Sequence, residues 1–211
     1  MWAIVVGAGS GTRFGRAKQF EMLGDERVID RSVRTAAEVC SGVVVVLPAD
    51  AVADWATPGT VAVAGGPTRA ASVANGLAAV PPAATVICVH DAARPLASAD
   101  LYTRVVEAVV AGADGAVPGL PVVDTIKVVD GGAVTGTPDR ASLVAVQTPQ
   151  AFRADALRAA HADPAVADDA TVTDDASMLE RRGAVVVAVG GERDNRKITD
   201  PDDLAWARER A

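Results

Sequence analysis

The fold is decided by the stretch Val5-Val6-Gly7-Ala8-Gly9-Ser10-Gly11-Thr12-Arg13-Phe14-Gly15-Arg16-Ala17-Lys18-Gln19. An apolar run from Trp2 to Val6 leads into it and predicts a buried strand. A strand that runs into a glycine-rich loop brings backbone N–H groups towards phosphates, because glycine adopts positive φ and carries no Cβ. Arg13 and Lys18 add two cations to this loop, which indicates a triphosphate held for reaction.

Two common phosphate-binding loops do not match this stretch. The dinucleotide fingerprint needs Gly-x-Gly-x-x-Gly, but its last position is a threonine when counted from Gly7 and a phenylalanine when counted from Gly9. A P-loop needs Gly-Lys-Ser/Thr at its end, whereas Lys18 stands between alanine and glutamine. A flexible glycine turn without a ligand stays an open alternative.

Length and composition favour a single α/β domain over residues 1–211. We expect no membrane span, because no apolar run reaches about 18 residues, and a cytoplasmic location, because no basic leader precedes Trp2. The net charge of −7 argues against a nucleic-acid partner. Cys40 and Cys88 are expected to be small core residues.

Short apolar runs alternate with segments of helical period, which is typical of a mostly parallel sheet covered by helices. The predicted strands are Ala3–Val6, Gly42–Leu47, Val61–Ala64, Val86–Val89, Gly115–Val117 and Ala184–Val189. The predicted helices are Val28–Cys40, Arg69–Val80, Ala99–Ala111, Arg153–Ala160, Asp174–Arg182 and Pro201–Arg210.

The segment from Pro121 to Val146 breaks this alternation. Val122–Val129 and Ala133–Thr137 flank a Gly-Gly turn and predict a β-hairpin. Because a two-stranded hairpin is marginal in water, it needs a partner surface, and a second copy of the chain is the simplest one.

Polar residues also follow the predicted strand Val86–Val89. Carboxyl ends of parallel strands line the ligand crevice, so Asp91 and Arg94 are expected in the same cleft as the first loop. Asp91 suits a hard divalent cation or a ribose hydroxyl, and Arg94 suits a phosphate; a structural Asp–Arg pair is the alternative. His90 is expected to be structural, because neighbouring strand positions face opposite ways.

Two more turns carry candidate site residues. The turn at Gly65 and Gly66 suits a base or sugar packed on backbone, with Ser72 as a hydrogen-bond donor, although such a turn is often only a turn. After the last strand, Asp194 could add an acid to a metal site and Lys197 a cation to a substrate phosphate; a solvated charged face is the alternative.

Taken together, these clusters resemble the 2-C-methyl-D-erythritol 4-phosphate cytidylyltransferase family of the non-mevalonate isoprenoid pathway. The matching motifs stand in family order and are Gly9-x-Gly11-x-Arg13, Lys18-Gln19, Gly65-Gly66-x-x-Arg69-x-x-Ser72-Val73, His90-Asp91-Ala92-Ala93-Arg94-Pro95, Asp124-Thr125-x-Lys127, Gln147-Thr148-Pro149-Gln150, Thr173-Asp174-x-Ala176-Ser177 and Asp194-Asn195-x-Lys197-Ile198-Thr199. Departures from the family pattern are Gly7, Ala17 and Pro67. Ala17 stands where proline commonly precedes the loop lysine, so the loop is expected to be less preset here.

The resemblance implies a Rossmann-like nucleotidyltransferase fold, a three-layer α/β sandwich with a mostly parallel central sheet and a protruding β-hairpin arm at residues 121–146, in a homodimer. It implies transfer of CMP from CTP to a polyol phosphate, with Mg²⁺ bound and pyrophosphate released. Arg13 and Lys18 would be catalytic, and Asp91 and Asp194 would be metal ligands. The residues expected to bind CTP are Ala8, Gly9, Gly11, Gly65, Gly66, Ser72, Asp91 and Ala92. Those expected around the acceptor are Arg94, Thr125, Thr148, Thr173 and Lys197, with Arg140 reaching in from the other subunit.

No general base is expected, because the acceptor phosphate is already anionic at neutral pH. The sequence also shows no convincing His/Asp pairing, and His161 is expected at the surface. Two alternatives stay open: a ribitol 5-phosphate cytidylyltransferase with the same fold and CTP loop, and a nucleotide-binding regulator without turnover.

Overall fold

The computed structural model describes residues 1–9, 11, 14–167 and 172–211. Its strands are β1 (Trp2–Val6), β2 (Met22–Leu23), β3 (Glu26–Arg27), β4 (Val43–Leu47), β5 (Thr60–Ala64), β6 (Val86–Asp91), β7 (Gly115–Pro121), β8 (Val128–Asp130), β9 (Ala133–Gly136), β10 (Val144–Val146), β11 (Gln150–Arg153) and β12 (Val186–Gly190). Its α-helices are α1 (Val28–Val39), α2 (Arg69–Ala79), α3 (Ala99–Val110), α4 (Ala154–His161), α5 (Pro164–Ala167), α6 (Asp175–Arg181) and α7 (Pro201–Arg208).

The central sheet has the order β5-β4-β1-β6-β11-β7-β12, and β10 continues along the same edge of β7 as β11. All of these strands are parallel except β10 and β11. In register, Val6 lies beside Val46 on one side and Asp91 on the other. The carboxyl ends of β1, β4 and β6 therefore meet at one edge of the sheet.

Two apolar layers cover the faces of this sheet. Along β1, Ala3 and Val5 pack with α1 and α3, whereas Ile4 packs with α2, α4 and α6. This alternation follows from the two-residue period of a strand. Every residue of β4 is buried, as expected for a strand covered on both faces. The predicted three-layer α/β fold is confirmed.

A smaller apolar cluster holds the C-terminal helix against the start of α1. Leu204 and Ala207 of α7 contact Phe14, Leu23 and Val28 in this cluster. It encloses the end of the glycine loop and so anchors the loop to the body of the domain.

Strand β11, which lies in the middle of the sheet, was not predicted from the sequence. This four-residue strand runs antiparallel between β6 and β7, and Phe152 pairs with Ile87 and Gly115. So short a run carries no periodic signal of its own, and its pairing with distant strands decides its conformation.

The predicted hairpin forms, but its strands are shorter than expected. They are β8 and β9, they pair only with each other among the described residues, and the turn glycines Gly131 and Gly132 both have positive φ. The first strand begins at Val128 instead of Val122.

Within the described residues, no helix is long and apolar enough to span a bilayer.

Candidate active site

A cleft of about 510 Å³ lies where the parallel strands end, which is a volume typical of small-molecule sites. The loop after β1, the turn after β5 and the end of β6 form its walls. The residues predicted to bind nucleotide that line it are Ala8, Gly9, Gly11, Gly66, Ser72, Asp91 and Ala92, whereas Gly65, which was also predicted to bind nucleotide, does not line it. Lys18 and Lys197 line it as well. Arg13, which was predicted to be catalytic, lies outside the described residues.

The turn after β5 closes tightly against the first loop. A Cβ on Gly65 would collide with the Cβ of Ala8 and approach Ser72 Oγ to 3.1 Å. The Ser72 hydroxyl accepts a hydrogen bond from Gly66 N at 3.1 Å and donates to Thr68 O at 2.8 Å. We expected the Ser72 hydroxyl to donate a hydrogen bond to a ligand. In the structure its hydrogen bonds hold the turn itself in place.

Backbone geometry and a buried amide shape the first loop. Gly11 has φ of +67°, and a Cβ there would strike the carbonyl oxygen of Arg16. The side-chain amide of Gln19, which is buried, donates to Gly9 O at 3.1 Å. Lys18 follows this turn directly and is half-buried against the cleft.

A cluster of ion pairs surrounds Asp91 at the end of β6. Lys197 Nζ lies 2.6 Å from Asp91 Oδ2, and Arg69 Nε lies 3.4 Å from Asp91 Oδ1. Burial alone would raise the pKa of Asp91, but the charges of Arg69 and Lys197 outweigh it and hold that pKa well below its usual range. Asp91 is therefore a carboxylate at neutral pH, and two cations face the cleft beside it.

Buried polar side chains form a hydrogen-bond network with the backbone of Asp91. Thr148, predicted to contact the acceptor, is buried, and its hydroxyl accepts a hydrogen bond from Asp91 N at 3.0 Å. Thr148 Oγ1 also lies 3.2 Å from Nδ1 of His90, and burial lowers the pKa of His90 to about 4, so His90 is neutral at pH 7. The structural role expected for His90 is confirmed. Arg94 was predicted in the same cleft, but it neither lines the cleft nor pairs with Asp91, because its Nη1 donates to Asn195 O at 2.8 Å.

The loop after β12, which carries Lys197, is tied to the sheet by Gln147. The Gln147 side chain donates to the carbonyl oxygens of Glu192 at 2.8 Å and Asn195 at 3.2 Å, and it accepts from Glu192 N at 3.0 Å. Asn195, fully buried, donates to Thr148 O at 2.8 Å. This network sets the backbone from which Lys197 reaches Asp91.

Other predicted site residues lie away from the cleft in this chain. Asp194 is 72% exposed and pairs with Arg210 at 3.7 Å, so it does not join Asp91. Thr125 and Arg140 lie exposed on the arm, where Arg140 Nη1 donates to Val123 O at 2.7 Å. Thr173 lies exposed just before α6.

Three ionisable residues near the cleft were not predicted as a group. Arg69 Nη1 lies 2.7 Å from Asp175 Oδ2, and His161 Nε2 lies 2.8 Å from Asp175 Oδ1. The prediction that His161 lies at the surface is wrong, because its side chain is 5% exposed. The sequence gives no direct signal for this pairing, since the three residues begin or end three different helices.

A protein-family model described as 2-C-methyl-D-erythritol 4-phosphate cytidylyltransferase matches residues 1–209. The chain belongs to this family. A family enzyme of that name from Rhodococcus jostii is 46% identical over 98% of this chain and 92% of its own length. A bifunctional IspD/IspF enzyme from Nitratidesulfovibrio vulgaris is 44% identical over 97% of this chain, which spans only 56% of that protein. The chain thus spans about half the length of its bifunctional relatives.

Solved structures of family members share the fold. The 2-C-methyl-D-erythritol 4-phosphate cytidylyltransferase of Thermus thermophilus aligns with a TM-score of 0.81 and 33% identity, covering 98% of this chain and 96% of that one. The 4-diphosphocytidyl-2C-methyl-D-erythritol synthase of Anaerococcus prevotii aligns with a TM-score of 0.85 and 28% identity, covering 99% and 96%.

We expect Gln147→Ala to lower the free energy of unfolding by about 2–3 kcal/mol, because it leaves buried groups of the Lys197 loop without partners. Urea unfolding measures the loss, and hydrogen exchange should become faster at residues 192–198. Arg193→Ala, at an exposed position of the same loop, is the control and should change neither. Equal stability of the Gln147 variant and the wild type would contradict this role.

Proposed function

We propose that the chain transfers the cytidylyl group of CTP to 2-C-methyl-D-erythritol 4-phosphate and releases pyrophosphate. One observation carries the proposal: the glycine loop, Gly66 and Asp91 meet at one cleft, and Lys18 and Lys197 line it. A local concentration of cations in a chain of net charge −7 suits a small polyanion. Membership of the family supports CTP as that polyanion.

In this proposal the backbone of the first loop faces the triphosphate, and the Gly65–Gly66 turn receives the nucleoside. The turn offers backbone without side chains, and Ser72 and Ala8 leave no room for a Cβ at Gly65. Asp91 then lies between the nucleoside and the phosphates. Lys197, which forms an ion pair with Asp91, lies on the side where the acceptor substrate would bind.

The reaction needs no general base on the protein. A phosphate monoester has a second pKa of about 6, so an acceptor oxygen already carries charge at neutral pH. That oxygen attacks the α-phosphorus of CTP, the bond from the α-phosphorus to the bridging oxygen breaks, and pyrophosphate leaves with its electron pair. Lys18 would offset the charge that grows on the phosphate oxygens, and Arg13 is assigned the same role from its motif.

A divalent cation is also part of the proposal, with Asp91 as its protein ligand. Among the described residues, Asp91 is the one carboxylate on the cleft, and no group of three or more potential ligands forms there or elsewhere. Mg²⁺ commonly takes one or two carboxylates together with substrate phosphates, so Asp91 and the triphosphate fit it. A carboxylate has about four lone-pair sites, which leaves capacity beyond Arg69 and Lys197. Bound Mg²⁺ would neutralise phosphate charge during the transfer.

We also propose that two copies of the chain pair through the arm of residues 121–146. Its apolar side chains are exposed, among them Val128 at 52%, Val129 at 57% and Val134 at 62%. Exposed apolar patches of this kind mark interaction surfaces, and an isolated hairpin is marginal in water. Thr125 and Arg140 lie on this arm, so in a dimer the arm would place them beside the acceptor in the other copy's cleft.

The test of the proposed function is pyrophosphate release by the purified chain. With CTP and Mg²⁺, we expect turnover with 2-C-methyl-D-erythritol 4-phosphate that exceeds turnover with ribitol 5-phosphate at least about tenfold in kcat/KM. The reverse preference would identify a ribitol 5-phosphate cytidylyltransferase. CTP binding without turnover on either acceptor would identify a regulator.

A cytoplasmic location stays a prediction from the sequence.

Lys18→Ala is expected to lower kcat at least about 100-fold while CTP affinity falls much less, because the lysine acts mainly on charge that develops in the transition state. Steady-state kinetics and calorimetric CTP titration separate the two effects. Arg16→Ala is the matched control in the same loop, since Arg16 is exposed and pairs with Glu21. Equal losses in kcat and CTP affinity would contradict the role of Lys18.

Val129→Asp is expected to convert a dimer into monomers in sedimentation velocity, because it places a charge in the apolar face of the arm. Activity with the acceptor should fall with it, and CTP affinity should stay within about twofold. Val110→Asp is the control, since Val110 is 74% exposed on α3. A wild-type chain that sediments as a monomer would contradict the proposed pairing.

A mixing experiment tests whether the arm acts across subunits. Lys18→Ala and Arg140→Ala are each expected to be weakly active alone. In a mixed dimer, one cleft keeps its own Lys18 and receives an intact Arg140 from its partner, so activity should return. No recovery on mixing would show that Arg140 serves its own chain or neither.

A further inference from the structure

Four charged or ionisable side chains form a continuous line from helix α4 to the cleft. His161 Nε2 donates to Asp175 Oδ1 at 2.8 Å, and Arg69 Nη1 donates to Asp175 Oδ2 at 2.7 Å. Arg69 Nε then lies 3.4 Å from Asp91 Oδ1. We call His161, Asp175 and Arg69 the arginine relay.

The relay is buried at the end formed by His161 and Asp175, and it is partly exposed at the end formed by Arg69. The side chain of Asp175 is 1% exposed and that of His161 is 5% exposed, whereas Arg69 is 29% exposed and lines the cleft. A buried carboxylate is strongly destabilising unless each oxygen has a partner, and both oxygens of Asp175 have one. Burial opposes ionisation of Asp175, but Arg69 and His161 hold its pKa below the usual range. Asp175 is therefore a fixed anion.

This anion restrains a side chain that would otherwise be mobile. Arg69 is the first residue of α2, where its long side chain leaves the helix next to the cleft. An arginine side chain loses rotamer entropy when it is held in one position, so a partly exposed arginine needs an anchor. Asp175 anchors the Nη1 edge of the guanidinium, and the Nε edge then faces Asp91.

The anchor in turn depends on three helices. Asp175 begins α6, where Asp174 caps the helix and its Oδ2 accepts a hydrogen bond from Gln150 Nε2 at 2.7 Å. His161 ends α4, and Arg69 begins α2. Packing among these helices therefore determines where the guanidinium lies.

We propose that Asp175 and His161 are positioning residues of the cleft, which hold Arg69 against Asp91 and so fix the carboxylate that the nucleotide meets. This inference rests on the proposed function. Neither Asp175 nor His161 lines the cleft, so their effect passes through Arg69. A purely structural tie between the helices would instead act on stability whether or not Arg69 is present.

A double-mutant cycle separates these two roles. Asp175→Asn in the wild-type background is expected to lower kcat/KM for CTP about tenfold or more, since small displacements of site groups are costly. In an Arg69→Gln background, the same change should have less than about a twofold effect, because the relay no longer has its last member. Asp163→Asn, which breaks a half-exposed pair with Arg182, is the matched control and should leave kcat/KM unchanged. An equal loss in both backgrounds would overturn the proposal.

His161 supplies a second, milder test if Asp175→Asn fails to fold. His161→Leu removes the donor to Asp175 and should lower kcat/KM for CTP about threefold or more. His161→Gln keeps a donor and should recover most of that loss, which a role in packing alone would not require. Equal kinetics of the leucine variant and the wild type would overturn the proposal.

A readout without turnover keeps this inference separate from the proposed function. In the wild-type chain, the Nε–H of Arg69 should give a protected side-chain NMR signal, and Asp175→Asn should make its exchange with solvent at least about tenfold faster. If the wild type releases no pyrophosphate with any acceptor, the proposed function fails while this signal still reports the relay. An unchanged signal in Asp175→Asn overturns the relay whatever the activity.

Discussion

The carboxylate of Asp91 is the interaction on which the site depends. It receives Arg69 from the start of α2 and Lys197 from the loop after β12, so residues far apart in sequence meet at one atom group. The cations are thereby drawn to the cleft, and the buried carboxylate is balanced. An anionic ligand that enters meets more positive than negative charge, although the whole chain is acidic.

The sheet places this carboxylate without help from the site. β6 lies beside β1 in parallel register, so Asp91 ends its strand next to Val6, where the glycine loop begins. Two apolar layers hold these strands from both faces, and their alternation along β1 leaves no freedom of register. The Gly65 turn closes the cleft because only a residue without a Cβ fits between Ala8 and Ser72.

The parts of the site that directly follow strands could be predicted from the sequence. The loop after β1 and Asp91 were predicted to share a cleft because parallel strands share their carboxyl edge, and both line one cleft together with Gly66. Lys197 reaches the cleft as predicted, whereas Asp194, three residues earlier, lies exposed beside Arg210. The path of that loop depends on Gln147, and no local pattern could give it.

Contacts between distant helices or strands could not be predicted from the sequence. The pattern predicted helix α6, which begins one residue later than expected because Asp174 caps it, but the pattern assigned Asp175 no partner. His161 sits in a polar stretch and so suggested a surface position, while packing of α4 against α6 buries it. Strand β11 is likewise too short to predict, because its partners on both sides supply its stability.

The most direct measurement is a crystal structure with CTP bound. We expect the triphosphate on the backbone of the first loop, Lys18 Nζ within hydrogen-bonding distance of a phosphate oxygen, and the nucleoside against the Gly65–Gly66 turn with Asp91 nearby. Nucleotide bound at another surface, or Lys18 directed away from the hollow that Asp91 lines, would contradict this expectation.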